Sequence, residues 1–240
     1  TPVIIHESDI TPGLANKLAL PFAHRICYAF AETGKHLPPG KAVQTGIPVR
    51  TELLSGDAEK GRNICGLSAE KPVLLVIGGS QGSQAINLAI RQGLSRLLKA
   101  YQVCHLCGRG NLDPALNGTP GYAQYEYVSD DLAHFFASSD LVLSRAGATT
   151  LFELLALKKP ALLIPLSARV SRGDQILNAE SFRQAGYSLV LSEEALTPEA
   201  LLTSITELQA QADEMKTRMS AGSGKDAIAG ILQIIQNAHQ

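Results

Sequence analysis

Short apolar runs ending in Gly, Ser or His alternate with segments of helical period along almost the whole chain. Strands joined by crossover helices leave this pattern, so a parallel sheet covered on both faces is expected. Val3–Ile5, Arg25–Phe30 and Lys41–Thr45 are predicted strands, with a helix over Pro12–Phe22 that has Pro near its start. The pattern then breaks at Gly46, Ile47, Pro48, Val49 and Arg50, and the polar stretch Ser55–Lys71 shifts the composition. Six further strands are predicted at Val73–Ile77, Tyr101–Leu106, Gln124–Val128, Asp140–Ser144, Ala161–Pro165 and Tyr187–Leu191. Helices over Gln84–Lys99, Leu132–Ala137, Thr150–Leu157 and Gln175–Ala185 connect them, and two more close the chain over Pro198–Met219 and Lys225–Asn237. The later set makes a complete doubly wound α/β domain, and the first 47 residues make only the tail of another. The boundary falls near Pro48, giving units 1–47 and 48–240. The chain enters a strand almost directly after Thr1, which creates the expectation of a piece cut from something longer.

Composition leaves this picture standing and removes several functions. With 240 residues, 45% hydrophobic and 18% charged, the chain has the make-up of a folded globular protein. A net charge of −1 gives no pull towards nucleic acid, and the absence of Trp weakens base stacking. No apolar run approaches the ~20 residues that cross a bilayer. Cys104 and Cys107 form a C-x-x-C, but no second pair stands at zinc spacing, and their surroundings alternate as a buried strand does. Four cysteines and no signal peptide fit a reducing cytoplasm.

Ligands of an open parallel sheet sit beyond the carboxyl ends of its strands. Three clusters fall there. Gly78, Gly79, Ser80, Gln81 and Gly82 follow a strand and open a helix, where close backbone approach and free N–H groups suit a phosphate. No Gly-Lys-Ser/Thr follows, no G-x-G-x-x-G is matched, and the next strand ends in Cys107, Gly108 and Arg109 without the acidic residue of an NAD site. The second cluster runs from Ser144 and Arg145 through Gly147 to Thr150 and Glu153. Thr150 and Glu153 have the spacing of a capping box, and Glu153 is also placed to accept hydrogen bonds from a ribose diol. The third holds Ser171, Asp174, Gln175 and Asn178. Asp174 or a neighbour is a candidate cap, and the two amides stand one helical turn apart, suited either to sugar hydroxyls or to a solvated face.

Together these clusters resemble the three donor-site motifs of the MurG-type glycosyltransferases, in order and at familiar spacing. His6, Glu7 and Asp9, then Pro12, Gly13 and Asn16, then Gly46–Arg50, are similar to the same family's crossing between domains. The resemblance runs from about residue 3 to the end and is like the Gram-positive branch. It implies a GT-B fold: a doubly wound, Rossmann-like carboxy-terminal domain plus the tail of a second one. Residues 1–47 would end the acceptor-binding domain, and 48–240 would hold UDP-N-acetylglucosamine. By motif, Gly79, Ser80, Gln81 and Gly82 would contact the pyrophosphate. Ala148, Thr149, Thr150 and Leu151 would face phosphate and ribose, and Glu153 would hold the ribose. Gln175 and Asn178 would bind the sugar, with Asp9, Arg50, Ser129 and Asp174 as further donor-site residues. Asp9 stands where Asn is often found, and Asp174 where Gln is common. The implied reaction is inverting transfer to lipid I, giving lipid II on the cytoplasmic side of the bacterial membrane, with no metal or other cofactor and no nucleic acid. The family's glycine-rich loop and its proposed His base have no counterpart here, so the base and the membrane contact are expected outside this chain. Donor binding without transfer is therefore expected of these residues, with apolar faces left exposed on unit 1–47. The alternatives are a sugar-nucleotide-binding module, a subunit of a split transferase, or another GT-B enzyme such as a lipid glycosyltransferase or a UDP-sugar epimerase.

Overall fold

A computed structural model describes residues 1–79, 81–222 and 226–238. Strands β1 (Ile4–Glu7), β2 (Arg25–Tyr28) and β3 (Ala42–Gln44) form a three-stranded parallel sheet in that order. The second sheet is six-stranded and parallel. It contains β4 (Val73–Ile77), β5 (Gln102–Leu106), β6 (Tyr122–Tyr125), β7 (Leu141–Ser144), β8 (Ala161–Leu163) and β9 (Ser188–Val190), in the order β6-β5-β4-β7-β8-β9. The strand order reverses between β4 and β7, and a crevice opens past their carboxyl ends at that point.

Strand β4 shows why the run Val73–Ile77 is apolar throughout. Val73 and Leu75 enter one core layer, with Phe135 and Phe136 of α4 (Leu132–Ser138) and Leu151 and Leu154 of α5 (Ala148–Ala156). Leu74 and Val76 enter the other, with Ile86 and Ile90 of α3 (Gln84–Ala100) and Leu201 and Ile205 of α7 (Pro198–Gly222). A strand buried on both faces loses the in-out alternation. Each fully buried Leu or Ile here contributes ~1.5–3 kcal/mol.

The stretch 55–71, expected only as a change of composition, contains a helix, α2 (Ala58–Cys65). Asp57 caps it by accepting from the Lys60 N–H at 3.0 Å, and Gly66 closes it in the left-handed region. Polar overall, the helix gains its place by close approach: a Cβ on Gly61 would lie 2.1 Å from the His134 carbonyl of α4. Cys104 is buried and lies 3.4 Å from the Cys65 sulfur, and burial holds its thiol well above the usual range. The helix expected over Pro12–Phe22 divides into α1 (Leu14–Ala19) and a 3-10 turn, Leu20–Phe22. Pro21 has no N–H to continue the α-helical ladder. Leu14, Leu18 and Phe22 remain exposed, as the sequence suggested for this unit. Strand β6 ends at Tyr125 rather than Val128, which frees the following residues as a loop.

The first sheet is seated on two helices of the second. Phe30, just past β2, stands edge-on to Phe152 of α5 at 5.3 Å and to Phe182 of α6 (Asp174–Gln184) at 6.1 Å. The last helix, α8 (Ala227–Asn237), starts against Gly46, and the expected Lys225 start lies outside the described residues. Among the described residues no helix is long and apolar enough to cross a membrane.

Candidate donor-binding site

Two strand-to-helix turns meet at the switch point, and they are finished differently. After β4, Gly82 has φ +76°, and a Cβ there would lie 1.9 Å from the Cys107 carbonyl, so only glycine fits. Helix α3 then begins under Ser83, whose buried hydroxyl accepts from the Ile86 N–H at 3.4 Å. The Arg145 Nη2 donates to the same Ser83 oxygen at 2.7 Å, and the guanidinium also holds the Ile164 and Pro165 carbonyls and pairs with Glu193. Gly79 and Gln81 are exposed at the turn, and Ser80 lies outside the described residues.

After β7, helix α5 begins at Ala148 with Gly147 as its N-cap and no side-chain cap. Its first N–H groups, from Ala148, Thr149 and Thr150, are left for a ligand. The capping box expected from Thr150 and Glu153 does not form, because Thr150 already lies inside the first helical turn. Buried Glu153 instead pairs with Arg50, which donates from Nη2 at 3.0 Å and Nε at 3.2 Å, both to Oε1.

Two depressions flank this helix start. The first, about 190 Å³, has apolar walls from Ile77, Leu106, Val128, Leu132 and Phe136. Gly79, Arg50, Tyr127, Thr150 and Glu153 lie on its polar side. Leu151 is fully buried in the core beneath it. Ser129 does not line this pocket; it is exposed, and its carbonyl accepts from the Leu132 N–H.

The second, about 320 Å³, is lined by Ser8, Asp9, Gly147, Ala148, Thr149, Ser171, Asp174 and Gln175. Asp9 is brought here from the first unit by Glu7. The buried Glu7 carboxylate accepts from the N–H groups of Asp9 and Gly13 and from the Asn16 amide, at 2.8–3.1 Å. Asn178 was expected beside Gln175 as a sugar ligand, but it is fully buried. Its Nδ2 donates to Asp9 Oδ1 at 2.9 Å, and its Oδ1 accepts from the Ile10 N–H at 3.4 Å. Gln175 lines the cleft while its Oε1 accepts from the Leu166 N–H. Asp174 does not cap α6, since Gly173 occupies that position at φ +83°; Asp174 accepts from the Thr11 hydroxyl and from Arg172.

Several of these contributors were missed from sequence. Glu7 and Asn16 stood within motifs whose residues had no assigned geometry. The apolar pocket joins the ends of β4 and β5 to Val128 of the loop after β6 and to α4, and its signal was position at the strands' carboxyl ends. A larger cavity, about 770 Å³, is lined by Phe30, Phe152, Phe182 and Tyr187 among others and lies away from Gly147–Thr150 and Gln175. Size alone does not mark the site. Among the described residues no group of three or more His, Cys, Asp or Glu side chains is placed to hold a metal.

A switch-point crevice floored by a second parallel unit is the architecture of GT-B glycosyltransferases, and comparison with known proteins agrees. Residues 73–232 match the Glycosyltransferase family 28 C-terminal domain, and the chain belongs to that family. It is 52% identical over 236 residues to the Lachnospira eligens UDP-N-acetylglucosamine--N-acetylmuramyl-(pentapeptide) pyrophosphoryl-undecaprenol N-acetylglucosamine transferase, covering 98% of this chain and 67% of that one. The Geobacillus kaustophilus protein of the same name is also 52% identical, covering 98% and 66%. The chain thus spans about two thirds of the length of these relatives. Among solved structures, Acinetobacter baumannii MurG superposes with a TM-score of 0.77 at 24% identity, covering 98% of this chain and 68% of that one. The kitacinnamycin glycosyltransferase gives 0.70 at 18%, covering 90% and 55%. These likenesses establish the GT-B fold.

Proposed function

We propose that the chain is the donor side of an inverting transferase that moves N-acetylglucosamine from UDP-N-acetylglucosamine to lipid I, forming lipid II. The carrying observation is the uncapped start of α5, set between an apolar pocket edged by Glu153 and a polar cleft edged by Asp9, Asp174 and Gln175. Uracil fits the apolar pocket, and the ribose diol donates to Glu153. The diphosphate lies over Gly147–Thr149, and the sugar enters the polar cleft. Asn178 acts on the sugar only through Asp9, whose carboxylate it holds. The turn after β4, with Gly79 and Gln81 exposed, faces the pyrophosphate.

In the reaction the acceptor 4-hydroxyl oxygen attacks the anomeric carbon from the face opposite UDP. The bond to the diphosphate oxygen breaks, and the configuration inverts. The developing charge on UDP meets the N–H groups of α5, aimed where it appears. A general base takes the acceptor proton; that base and most acceptor contacts belong to the third of the relatives' length that this chain does not span. The enzyme would work at the cytoplasmic face of the membrane without a metal.

The test is calorimetric titration of the chain with UDP-N-acetylglucosamine, UDP-glucose and UDP, each with and without chelator. Tighter binding of the N-acetylglucosamine donor, unchanged by chelator, is expected. No binding of UDP would sink the donor assignment, and a loss of more than about tenfold with chelator would mean a metal site.

A further inference from the structure

The polar cleft has an electrostatic problem. Two of its lining residues, Asp9 and Asp174, are carboxylates, and under the donor reading a diphosphate must sit beside them. Asp9 is held by a neutral amide, the Asn178 Nδ2, and has no ion-pair partner among the described residues. Asp174 is held differently. Its Oδ2 accepts from Arg172 Nε at 2.9 Å and Nη2 at 2.7 Å, while Oδ1 accepts from Thr11. The Arg172 side chain is 60% exposed and that of Asp174 only 17%. The guanidinium therefore covers the carboxylate on its solvent side, with Nη1 beside Gly13 of the first unit. The loop bearing it is braced by Ser171, whose hydroxyl donates to the Ser167 carbonyl at 2.9 Å and accepts from the Gly173 N–H at 3.2 Å.

We propose that Arg172 is the charge-compensating positioning residue of the donor cleft. It neutralises Asp174, so that this carboxylate can remain in the wall as an acceptor for Thr11 and a sugar hydroxyl without repelling the diphosphate. The start of α5 supplies only about half a positive charge. Two uncompensated carboxylates would leave about one and a half negative charges beside the diphosphate, whereas one leaves only about half a charge. The proposal rests on the donor reading and adds to it a residue that need not touch the ligand.

The test compares UDP with uridine, which has the same base and ribose and no charge, on the chain and three variants. Arg172→Gln should weaken UDP about five- to tenfold at low ionic strength, with a smaller loss at high salt, and leave uridine unchanged. Asp174→Asn, which keeps an acceptor for Thr11, should bind UDP at least as well as the parent. The double variant Arg172→Gln/Asp174→Asn should regain the parent's UDP affinity to within about twofold. An unchanged single Arg172→Gln variant overturns the proposal. So does a double variant as weak as that single one, which would make Arg172 a direct phosphate ligand. Thermal midpoints close to the parent's are expected for an exposed arginine, and a parent chain that fails to bind UDP sinks the donor reading itself.

Discussion

Helices α3 and α5 start side by side at the same switch point, after neighbouring strands and short turns rich in small residues. One is closed and the other open. Ser83 caps α3 and is itself clamped by Arg145, whereas Gly147 leaves the start of α5 without a side-chain cap. The closed start is also anchored from behind. Asn87 of α3 donates to the Cys107 carbonyl at 2.9 Å and accepts from His105 of β5 at 2.9 Å. The second ring nitrogen of His105 accepts from the Tyr122 hydroxyl at 3.0 Å. A helix start that satisfies its own donors builds a rigid wall, and one that does not is available to an anion.

The largest expected effect is on the closed side. Gly82→Ala forces a side chain onto positive φ and into the Cys107 carbonyl, and should cost about 3 kcal/mol or more. Urea unfolding measures it, and near-parental stability would mean that the two turns do not touch as described. Acid should loosen the same side next. Burial pushes the His105 pKa down to about 3, from an ordinary value near 6.5. The unfolded chain takes up this proton below pH 6.5 and the folded chain only near pH 3, so the contribution is full above 6.5 and declines below it. About 2–3 kcal/mol should be gone by pH 4.5. His105→Gln should show a correspondingly smaller loss between pH 7 and 4.5, and equal losses would locate the acid sensitivity elsewhere.

A substitution on the open side can turn α5 into a second α3. Gly147 has φ −68° and open space around a Cβ, so Gly147→Asp fits and caps the helix. UDP affinity should fall by about 1–2 kcal/mol while the thermal midpoint holds or rises slightly. Parental affinity in that variant would remove the helix start from the site. The smallest effect belongs to Ser83→Ala, which should cost about 1 kcal/mol of stability and leave UDP binding within about twofold. A large loss of binding there would make α3 a ligand site too.

Strands β4 and β7 and most helix ends were legible because burial on both faces writes itself into the chain as apolar runs. Helix α2 was not, since a short polar helix held by glycine contacts leaves little periodic signal. The capping role expected of Glu153 does not form. Thr-x-x-Glu spacing reads the same whether Thr is the cap or already inside the helix, and only the Gly147 turn decides. The partner it does have, Arg50, is 103 residues away.

The residues themselves determined a doubly wound sheet, the family, and three small-residue turns at strand ends, because local periodicity and motif spacing are properties of the chain. Which turn stays open, and which amide faces a ligand, were decided by contacts between distant segments. Gln175 and Asn178 are equivalent by helical spacing, yet Asp9 and Ile10 of the first unit pack over Asn178 and occupy its amide, leaving Gln175 to line the cleft. Spacing along one helix cannot register what another part of the chain lays across it, so exposure and the choice of partner were settled only in three dimensions.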